Sequence, residues 1–382
     1  MVVVLPSRTE EVPPSTRLAG LPLLRRIVLA AGRAGFGRVL VGCLRSEDQP
    51  LLAGTCAGAL RPNGPTSLSA RRIVLLPMNV VPQPSWLRQL REIELEPDRL
   101  YVDQASVAVV EATDPARVVA VAARCGSAAD VVATLRGTFK AADRAFDEKG
   151  RFPLASLRDI PAAETWLLRS LIKQHEGFMS RHLERRISLA LTRRLVTTRI
   201  TPNAMTVVSV AIGLVGAPFF LSSAPAYQLA GALLFLTHSI VDGCDGEIAR
   251  LKFLESAAGA VLDFWGDNLV HAAVFTCLAV GWSLDTGTTW PPLLGGIAVA
   301  STLGSAAVVY GRGLRASHAN GETSRLSRLA DALSHRDFIY VILLLAAAGK
   351  AAWFLVIAAA GAPIYLLLLA WIGRTDRGAA PS

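Results

Sequence analysis

Four aspartates in an otherwise apolar stretch constrain this chain more than any other feature. They follow the pattern D-x2-D-G-x2-A-R-x8-G-x3-D-x3-D, which begins at Asp242 and ends at Asp267. Ionisable groups are costly at membrane depth, so carboxylates in such a stretch indicate a functional site. A solvated surface or a helix cap explains a single acidic pair. Neither explains four carboxylates at regular offsets from two glycines and an arginine.

The spacing predicts that the four carboxylates converge. Asp242 and Asp245 are three residues apart, and Asp263 and Asp267 are four apart, so each pair shares one face of a helix. If a polar turn near Arg250 joins antiparallel helices, Asp242 and Asp263 both lie roughly 15 Å from it, at ~1.5 Å per residue. Carboxylates this close need cations to remain ionised. Oxygen ligands favour a hard divalent ion, Mg²⁺ or Mn²⁺.

The complete pattern resembles the signature of the CDP-alcohol phosphotransferases (CDP-alcohol phosphatidyltransferases) and matches it at every fixed position. The resemblance covers roughly residues 165–375. It implies a membrane domain of six transmembrane helices, usually dimeric. Such a domain transfers a substituted phosphate from a CDP-alcohol to an acceptor alcohol and releases CMP.

The aspartates then have distinct expected roles. Asp242, Asp245 and Asp263 are proposed metal ligands, and the metal would neutralise the diphosphate and stabilise the departing CMP. The resemblance makes Asp267 the general base that accepts the proton of the attacking hydroxyl, while also touching a metal. No Ser, Cys or His is placed as a nucleophile beside a base, so we expect direct attack of the acceptor on the distal phosphorus.

A second set of residues is expected to bind the CDP moiety. Gly246 leaves room for cytidine at the helix backbone, and the planar guanidinium of Arg250 suits a phosphate. Gly259 also permits close helix packing. The full set is Asn203, Gly246, Ala249, Arg250 and Gly259.

Hydropathy predicts six membrane spans within residues 201–376. Apolar residues make up 52% of the chain and concentrate in its second half. Each apolar run is close to the ~20 residues that a bilayer requires. The expected spans are residues 204–222, 226–244, 257–282 and 291–311, with two more in residues 337–373 separated near Gly349.

The net charge of +9 indicates an anionic membrane surface, and not nucleic acid, as the partner. Residues 151–200 are expected to contain a linker and then a basic amphipathic helix from Glu164 to Arg199, either interfacial or simply solvated. The positive-inside rule places the N-terminal half and the aspartates in the cytoplasm. A later basic stretch offers Arg312 and Arg315 to an anionic acceptor, although positive-inside charge alone also explains it.

Residues 1–150 are expected to form a soluble α/β domain with a mostly parallel sheet. Helical periodicity covers residues 21–34, and short apolar runs of strand type begin at Arg38, Arg72, Leu100 and Ser106. No cleavable signal peptide is expected at the start of the sequence. The five cysteines show neither metal-type nor paired spacing, which favours a reducing compartment.

The stretch from Arg17 to Val41 resembles the early part of sugar-phosphate nucleotidyltransferases. That family's Gly-rich phosphate loop is missing, because residues 2–16 contain no glycine. We therefore expect a degenerate nucleotidyltransferase-like domain in which Asp103 is structural. The fusion resembles bifunctional enzymes that make CDP-inositol and then di-myo-inositol phosphate phosphate.

Three alternatives remain open from the sequence. The N-terminal domain would itself make the CDP-alcohol in a bifunctional enzyme, or the membrane half would merely anchor a soluble nucleotidyltransferase. A transporter, or another non-enzymatic membrane protein that binds cations or nucleotides, is the third. A transporter needs carboxylates spread along a path across the bilayer, whereas here they cluster.

Overall fold

The computed structural model describes residues 1–7, 12–61, 71–104, 107–124, 126–172, 183–316 and 338–378. The chain divides into two compact units, Met1–Arg169 and Ser170–Ser382. We call them the α/β unit and the helical unit.

The α/β unit is built on a seven-stranded sheet. The strands of the unit are β1 (Val2–Leu5), β2 (Arg17–Leu18), β3 (Leu21–Pro22), β4 (Val39–Val41), β5 (Ala57–Ala59), β6 (Arg72–Pro77), β7 (Val80–Pro82), β8 (Arg99–Val102), β9 (Ala108–Glu111), β10 (Lys140–Asp143) and β11 (Arg151–Pro153). The large sheet has the order β10-β8-β9-β6-β1-β4-β5, and β2–β3 and β7–β11 form two small antiparallel pairs.

The large sheet is mostly parallel, as expected, but β9 runs antiparallel to both β6 and β8. All four residues of β1 are buried, which is typical of a central strand covered on both faces. Helices of the unit are α1 (Leu23–Arg33), α2 (Pro84–Glu92), α3 (Pro115–Arg124), α4 (Ala128–Arg136) and α5 (Ile160–Arg169). Ser127 caps α4 by accepting a hydrogen bond from the Asp130 backbone N–H.

The helical unit consists of α6 (Arg185–Leu195), α7 (Pro202–Gly216), α8 (Pro225–Lys252), α9 (Ala257–Thr286), α10 (Pro291–Ala316), α11 (Phe338–Ala347) and α12 (Ala352–Gly378). The single helix expected from Glu164 to Arg199 is wrong, because α5 ends at Arg169 within the α/β unit and α6 begins at Arg185. Residues 173–182 lie outside the described residues.

Four described helices are long and apolar enough to cross a membrane, which makes the helical unit a membrane domain by length and composition. These segments are Pro202–Leu221, Ala257–Thr286, Pro291–Gly311 and Ala352–Ile372. The α8 helix has sufficient length but carries the first aspartate pair and other charges, and α11 has only 10 residues. Six membrane spans were expected, and four of the described helices meet the length and hydropathy expected of a span.

Small residues bring α7, α8 and α9 into close contact. A Cβ at Gly213 of α7 would lie 2.5 Å from Val270 Cγ1 of α9 and 3.1 Å from His238 Cγ of α8. A Cβ at Gly216 would lie 2.8 Å from Leu234 Cβ. Residues late in α7 therefore contact residues early in α8, which shows that these two helices are antiparallel. The three-helix packing positions the aspartates.

Candidate metal centre and substrate cleft

A short turn, residues 253–256, joins α8 to α9. Phe253 has the left-handed conformation, with φ 56°, and ends α8. Ser256 begins α9, because its hydroxyl accepts a hydrogen bond from the Gly259 N–H at 3.0 Å. Both helix ends are therefore locally specified, and the two aspartate pairs face each other across the turn.

Three of the four aspartates form a carboxylate cluster. Asp242, Asp245 and Asp263 each offer one oxygen, and these oxygens all lie within 4.8 Å of one another. Asp242 and Asp245 are buried, and Asp263 is partly exposed. Anionic oxygens held this close repel one another, so the donor set fits a hard divalent cation. We call these three residues the carboxylate cluster.

Hydroxyl groups of α7 orient two members of this cluster. The Thr206 hydroxyl donates to Asp245 Oδ2, and the Ser209 hydroxyl lies 3.5 Å from Asp242 Oδ1. Sequence reasoning missed both residues. The available signal was their spacing, because Thr206 and Ser209 are three apart, as are Asp242 and Asp245.

The fourth aspartate has a different neighbour. Asp267 is not a member of the carboxylate cluster. Its Oδ1 lies 3.5 Å from Nε2 of His238, whose side chain is buried. Asp267 is more accessible, with a quarter of its side chain exposed. Sequence reasoning missed His238, which precedes Asp242 by one helical turn.

A cleft opens beside the carboxylate cluster and contains every residue expected to bind the CDP moiety. Its lining includes Pro202, Asn203, Thr206, Asp245, Gly246, Ala249, Arg250, Glu255, Ser256, Gly259 and Asp263. The first turn of α7, which Thr201 caps, supplies Asn203. The cleft is therefore shared by α7, α8 and α9.

The two signature glycines leave little spare room in the cleft. A Cβ at Gly259 would lie 2.9 Å from Asn203 Oδ1, and a Cβ at Gly246 would lie 3.2 Å from Arg250 Nη1. A larger residue at Gly259 would displace the Asn203 amide. A larger residue at Gly246 would crowd the Arg250 guanidinium. Both glycines therefore determine where polar groups of the cleft lie.

Glu247 has a structural role that the sequence did not indicate. Its buried carboxylate accepts hydrogen bonds from Arg185 Nη1 at 2.8 Å, the Ser188 hydroxyl at 2.7 Å and the Thr192 hydroxyl at 2.6 Å. All three donors belong to α6. The basic helix thus contributes Arg185 to an ion pair and presents its buried hydroxyls to α8.

The proposed acceptor residues stay untested. Arg312 and Arg315 lie in the last turns of α10, but their side chains are outside the described residues. Arg325 and Arg328, in the same basic stretch, also lie outside them.

In the α/β unit, Asp103 forms a buried ion pair with Arg151, whose guanidinium lies 5.6 Å from the Trp86 ring centre. Asp103 Oδ1 also accepts a hydrogen bond from the Val107 N–H at 3.3 Å. The ion pair with Arg151 and the hydrogen bond from Val107 are typical of a structural aspartate. The neighbouring cation is an arginine of the same unit.

Buried Arg26 holds the β2–β3 hairpin of the α/β unit. Its guanidinium donates hydrogen bonds to the Leu18 and Ala19 carbonyl oxygens, each at 2.9 Å. Burial lowers the pKa of Arg26 to about 10, while nearby Glu164 opposes the shift. The side chain therefore remains charged at neutral pH, and its hydrogen bonds stabilise the hairpin.

Comparison with known proteins matches the part of the chain that contains the carboxylate cluster and the cleft. Residues 199–364 match the family model described as CDP-alcohol phosphatidyltransferase. The bifunctional IPC transferase and DIPP synthase of Thermococcus kodakarensis is 35% identical over 201 residues, which are 50% of this chain and 44% of that protein. The CDP-diacylglycerol–serine O-phosphatidyltransferase of Mycobacterium leprae is 32% identical over 100 residues, covering 24% of this chain and 32% of the relative.

The chain spans less than half the length of these relatives. Among solved structures, the Mycobacterium tuberculosis phosphatidylinositol phosphate synthase with CDP-DAG bound aligns with a TM-score of 0.35 at 23% identity. That alignment covers 49% of this chain and 94% of the other, and it supports no residue-level comparison. The family match covers residues 199–364 and includes the complete aspartate signature from Asp242 to Asp267.

Proposed function

We propose that the helical unit transfers a substituted phosphate from a CDP-alcohol to an acceptor alcohol and releases CMP, in phospholipid or polar phosphodiester biosynthesis. One observation carries the proposal: the carboxylate cluster lies at the edge of a cleft that also contains Asn203, Arg250 and the two signature glycines. A diphosphate needs neutralising charge, which a divalent metal held by the cluster would supply, and fixed donors, which Arg250 and Asn203 offer.

The geometry suggests a separate role for each of these residues. Asp242, Asp245 and Asp263 would hold a divalent metal, which supplies positive charge for the diphosphate and the leaving group. Arg250 would donate hydrogen bonds to phosphate oxygens. Asn203 would contact the nucleotide from the start of α7. Binding both alcohols in one cleft would then supply much of the rate by orientation.

The proposed chemical step is a direct displacement. The acceptor oxygen forms a bond to the phosphorus distal to cytidine, and the bond from that phosphorus to the bridging oxygen breaks. The bridging oxygen and its electron pair leave with CMP. Asp267 takes the hydroxyl proton and, as the family resemblance implies, would also touch the metal. Its greater exposure suits a group that must meet an incoming acceptor.

We further propose that α8 and α11 complete six membrane spans, with the site at the cytoplasmic face. The expected order of spans places the end of α8 on the same side as Arg199 and the end of α10, where arginines concentrate. Trp282, Trp290 and Trp353 lie near the opposite helix ends, as expected for an interfacial aromatic belt. A homodimer in the cell membrane or inner membrane is the expected assembly.

Several finer assignments belong to this proposal. The α/β unit, Met1–Arg169, would form the cytoplasmic domain, residues 170–200 would connect it, and residues 201–376 would form the membrane domain. Arg312 and Arg315 would contact an anionic acceptor. Both Mg²⁺ and Mn²⁺ suit the oxygen donors, so either would support turnover.

For the α/β unit we propose a degenerate nucleotidyltransferase-like role. The Asp103–Arg151 ion pair supports this, because the carboxylate already has a cationic partner. A bifunctional enzyme is the alternative, motivated by relatives such as that of Thermococcus kodakarensis. Pyrophosphate release from CTP and a sugar or polyol phosphate by the full chain would support the bifunctional alternative.

The decisive experiment measures CMP release by the purified full chain in detergent. Several CDP-alcohols are each paired with candidate acceptors, with and without Mg²⁺ or Mn²⁺, beside Asp267→Asn. Metal-dependent release with one pair, lost in the variant, would establish the transferase and name its substrates. Absence of release from every pair by folded protein that binds CDP-alcohol would reject the proposal.

A further inference from the structure

We propose that His238 is a positioning residue that holds the Asp267 carboxylate in place for the transfer reaction. The inference rests on the proposed function and adds a residue outside the aspartate signature. Nε2 of His238 lies 3.5 Å from Asp267 Oδ1, so a residue of α8 contacts the proposed base on α9. This contact lies one turn beyond the carboxylate cluster on both helices.

The orientation of the imidazole ring is determined by its other nitrogen. Nδ1 of His238 lies 2.9 Å from the Ser209 backbone carbonyl oxygen. Carbonyl and carboxylate oxygens only accept hydrogen bonds, so the ring satisfies both contacts as an imidazolium, with one hydrogen on Nδ1 toward Ser209 and one on Nε2 toward Asp267. The ring is thereby held with Nε2 directed at Asp267. Histidines that bind one group through one nitrogen and are oriented through the other are common around metal sites.

Packing holds the same ring from its faces. Phe235 stacks on His238 with ring centres 6.0 Å apart and an interplanar angle of 19°. On another side, Gly213 provides room, since a Cβ there would lie 3.1 Å from His238 Cγ. The His238 side chain is 3% exposed and cannot easily change rotamer. A buried, packed ring is well suited to orient a partly exposed carboxylate.

Ser209 connects this contact to the carboxylate cluster. Its hydroxyl lies 3.5 Å from Asp242 Oδ1, and its carbonyl accepts the hydrogen bond from His238. One residue of α7 therefore contacts a proposed metal ligand directly and the proposed base through His238. The position of the proposed base relative to the carboxylate cluster is thus determined jointly by α7 and α8.

Two near-isosteric substitutions separate positioning from general packing. In His238→Gln the amide nitrogen lies near the position of Nε2, so the contact with Asp267 is kept. In His238→Asn the amide nitrogen lies near Nδ1, so only the bond to Ser209 is kept. We expect kcat for CMP release to fall about 10–100-fold in His238→Asn, with KM for the CDP-alcohol nearly unchanged, and to recover substantially in His238→Gln.

His271→Asn is the matched control, because His271 lies on α9, the helix of Asp267, and its ring contacts the Phe235 and Phe338 rings. It should leave kcat close to wild type. Equal kcat in His238→Asn and wild type would overturn the proposal. So would equal losses in the Asn and Gln variants, because packing alone explains that result.

A second measurement does not depend on turnover. A double-mutant cycle of His238→Ala and Asp267→Ala is followed by thermal unfolding in detergent. Non-additive shifts in Tm support the contact, whereas additive shifts overturn it. If wild-type protein releases no CMP from any substrate pair, the proposed function fails, and this cycle still decides whether His238 holds Asp267.

Discussion

The Thr206 hydroxyl of α7 donates a hydrogen bond to the Asp245 carboxylate of α8, and both side chains are buried. A carboxylate that binds a metal through one oxygen is commonly oriented through hydrogen bonds from the surrounding protein. Thr206→Val removes the hydroxyl and preserves the shape. We expect Mn²⁺ affinity to fall about 10–100-fold, as measured by electron paramagnetic resonance of free Mn²⁺. Thr206→Ser retains the donor and should bind Mn²⁺ nearly as wild type does. Wild-type affinity in the valine variant would contradict this role.

Asp263→Asn tests the carboxylate cluster itself. The substitution removes one negative charge while leaving Asp242 and Asp245 in place. Loss of one preorganised electrostatic contact in a site of this kind lowers kcat on the order of 10²–10³-fold. CMP release and Mn²⁺ binding should fall together. Asp285→Asn, near the other end of α9, is the control and should retain both. Retained metal binding in Asp263→Asn would remove Asp263 from the ligand set.

Gly259→Ala should damage the cleft through Asn203. The added Cβ would lie 2.9 Å from Asn203 Oδ1 and 3.0 Å from the Ser256 hydroxyl oxygen, so the amide must shift. We expect a higher KM for the CDP-alcohol, with a stability loss of about 1–3 kcal/mol from overpacking. Steady-state kinetics and thermal unfolding measure the two effects. Gly296→Ala on α10 adds a methyl group where no atom lies within 4 Å, so it should leave KM unchanged and cause no loss of stability. An unchanged KM in Gly259→Ala would show that the amide does not contact the nucleotide.

Glu247→Ala should loosen α6 from α8. It leaves Arg185 without its carboxylate and removes the acceptor of the Ser188 and Thr192 hydroxyls. Breaking a buried ion pair from one side typically costs about 3–5 kcal/mol. Thermal unfolding in detergent should show a lower Tm. The Glu47→Gln control breaks the exposed pair with Arg45, a kind of pair worth about 0–1 kcal/mol, and should have little effect. Equal Tm in both variants would mean that α6 does not stabilise α8.

The hydrogen bonds of Asp98 predict that the stability of the α/β unit decreases in acid. The Thr113 hydroxyl and backbone N–H donate to its carboxylate and lower its pKa below the ordinary 3.8. The unfolded chain therefore binds more protons in this range, so the stabilisation is present above about pH 4 and is lost as pH falls through the folded pKa.

Hydrogen exchange of the peptide spanning β8 and β9 measures this effect when variants are compared at the same pH. Asp98→Asn should remove this part of the acid dependence, because asparagine also tolerates the left-handed backbone found there, with φ 54°. An unchanged acid dependence in the variant would assign it to other carboxylates.

The structure brings together oxygens of three of the four aspartates, whereas local spacing predicted that all four would converge. Spacing indicates which side chains share a helix face. It did not predict Thr206, Ser209 or His238, since each is a common residue type whose partner comes from another helix. Membrane spans were predicted where apolar residues run uninterrupted. In α8 the aspartates and the other charged residues weaken the hydropathy signal. In the α/β unit, apolar runs located strands, but no local pattern distinguishes the reversed β9 from its parallel neighbours.

The turn at residues 253–256 has an evolutionary consequence. Each residue of an α-helix turns the chain by about 100°, so one insertion or deletion in the helical residues between this turn and an aspartate would swing Asp263 away from Asp242 and Asp245. Substitutions within the turn need only preserve its two helix ends, at Phe253 and Ser256. Natural variants of this domain should therefore differ freely in the composition of this turn but almost never in the number of helical residues between the turn and the aspartates on either side.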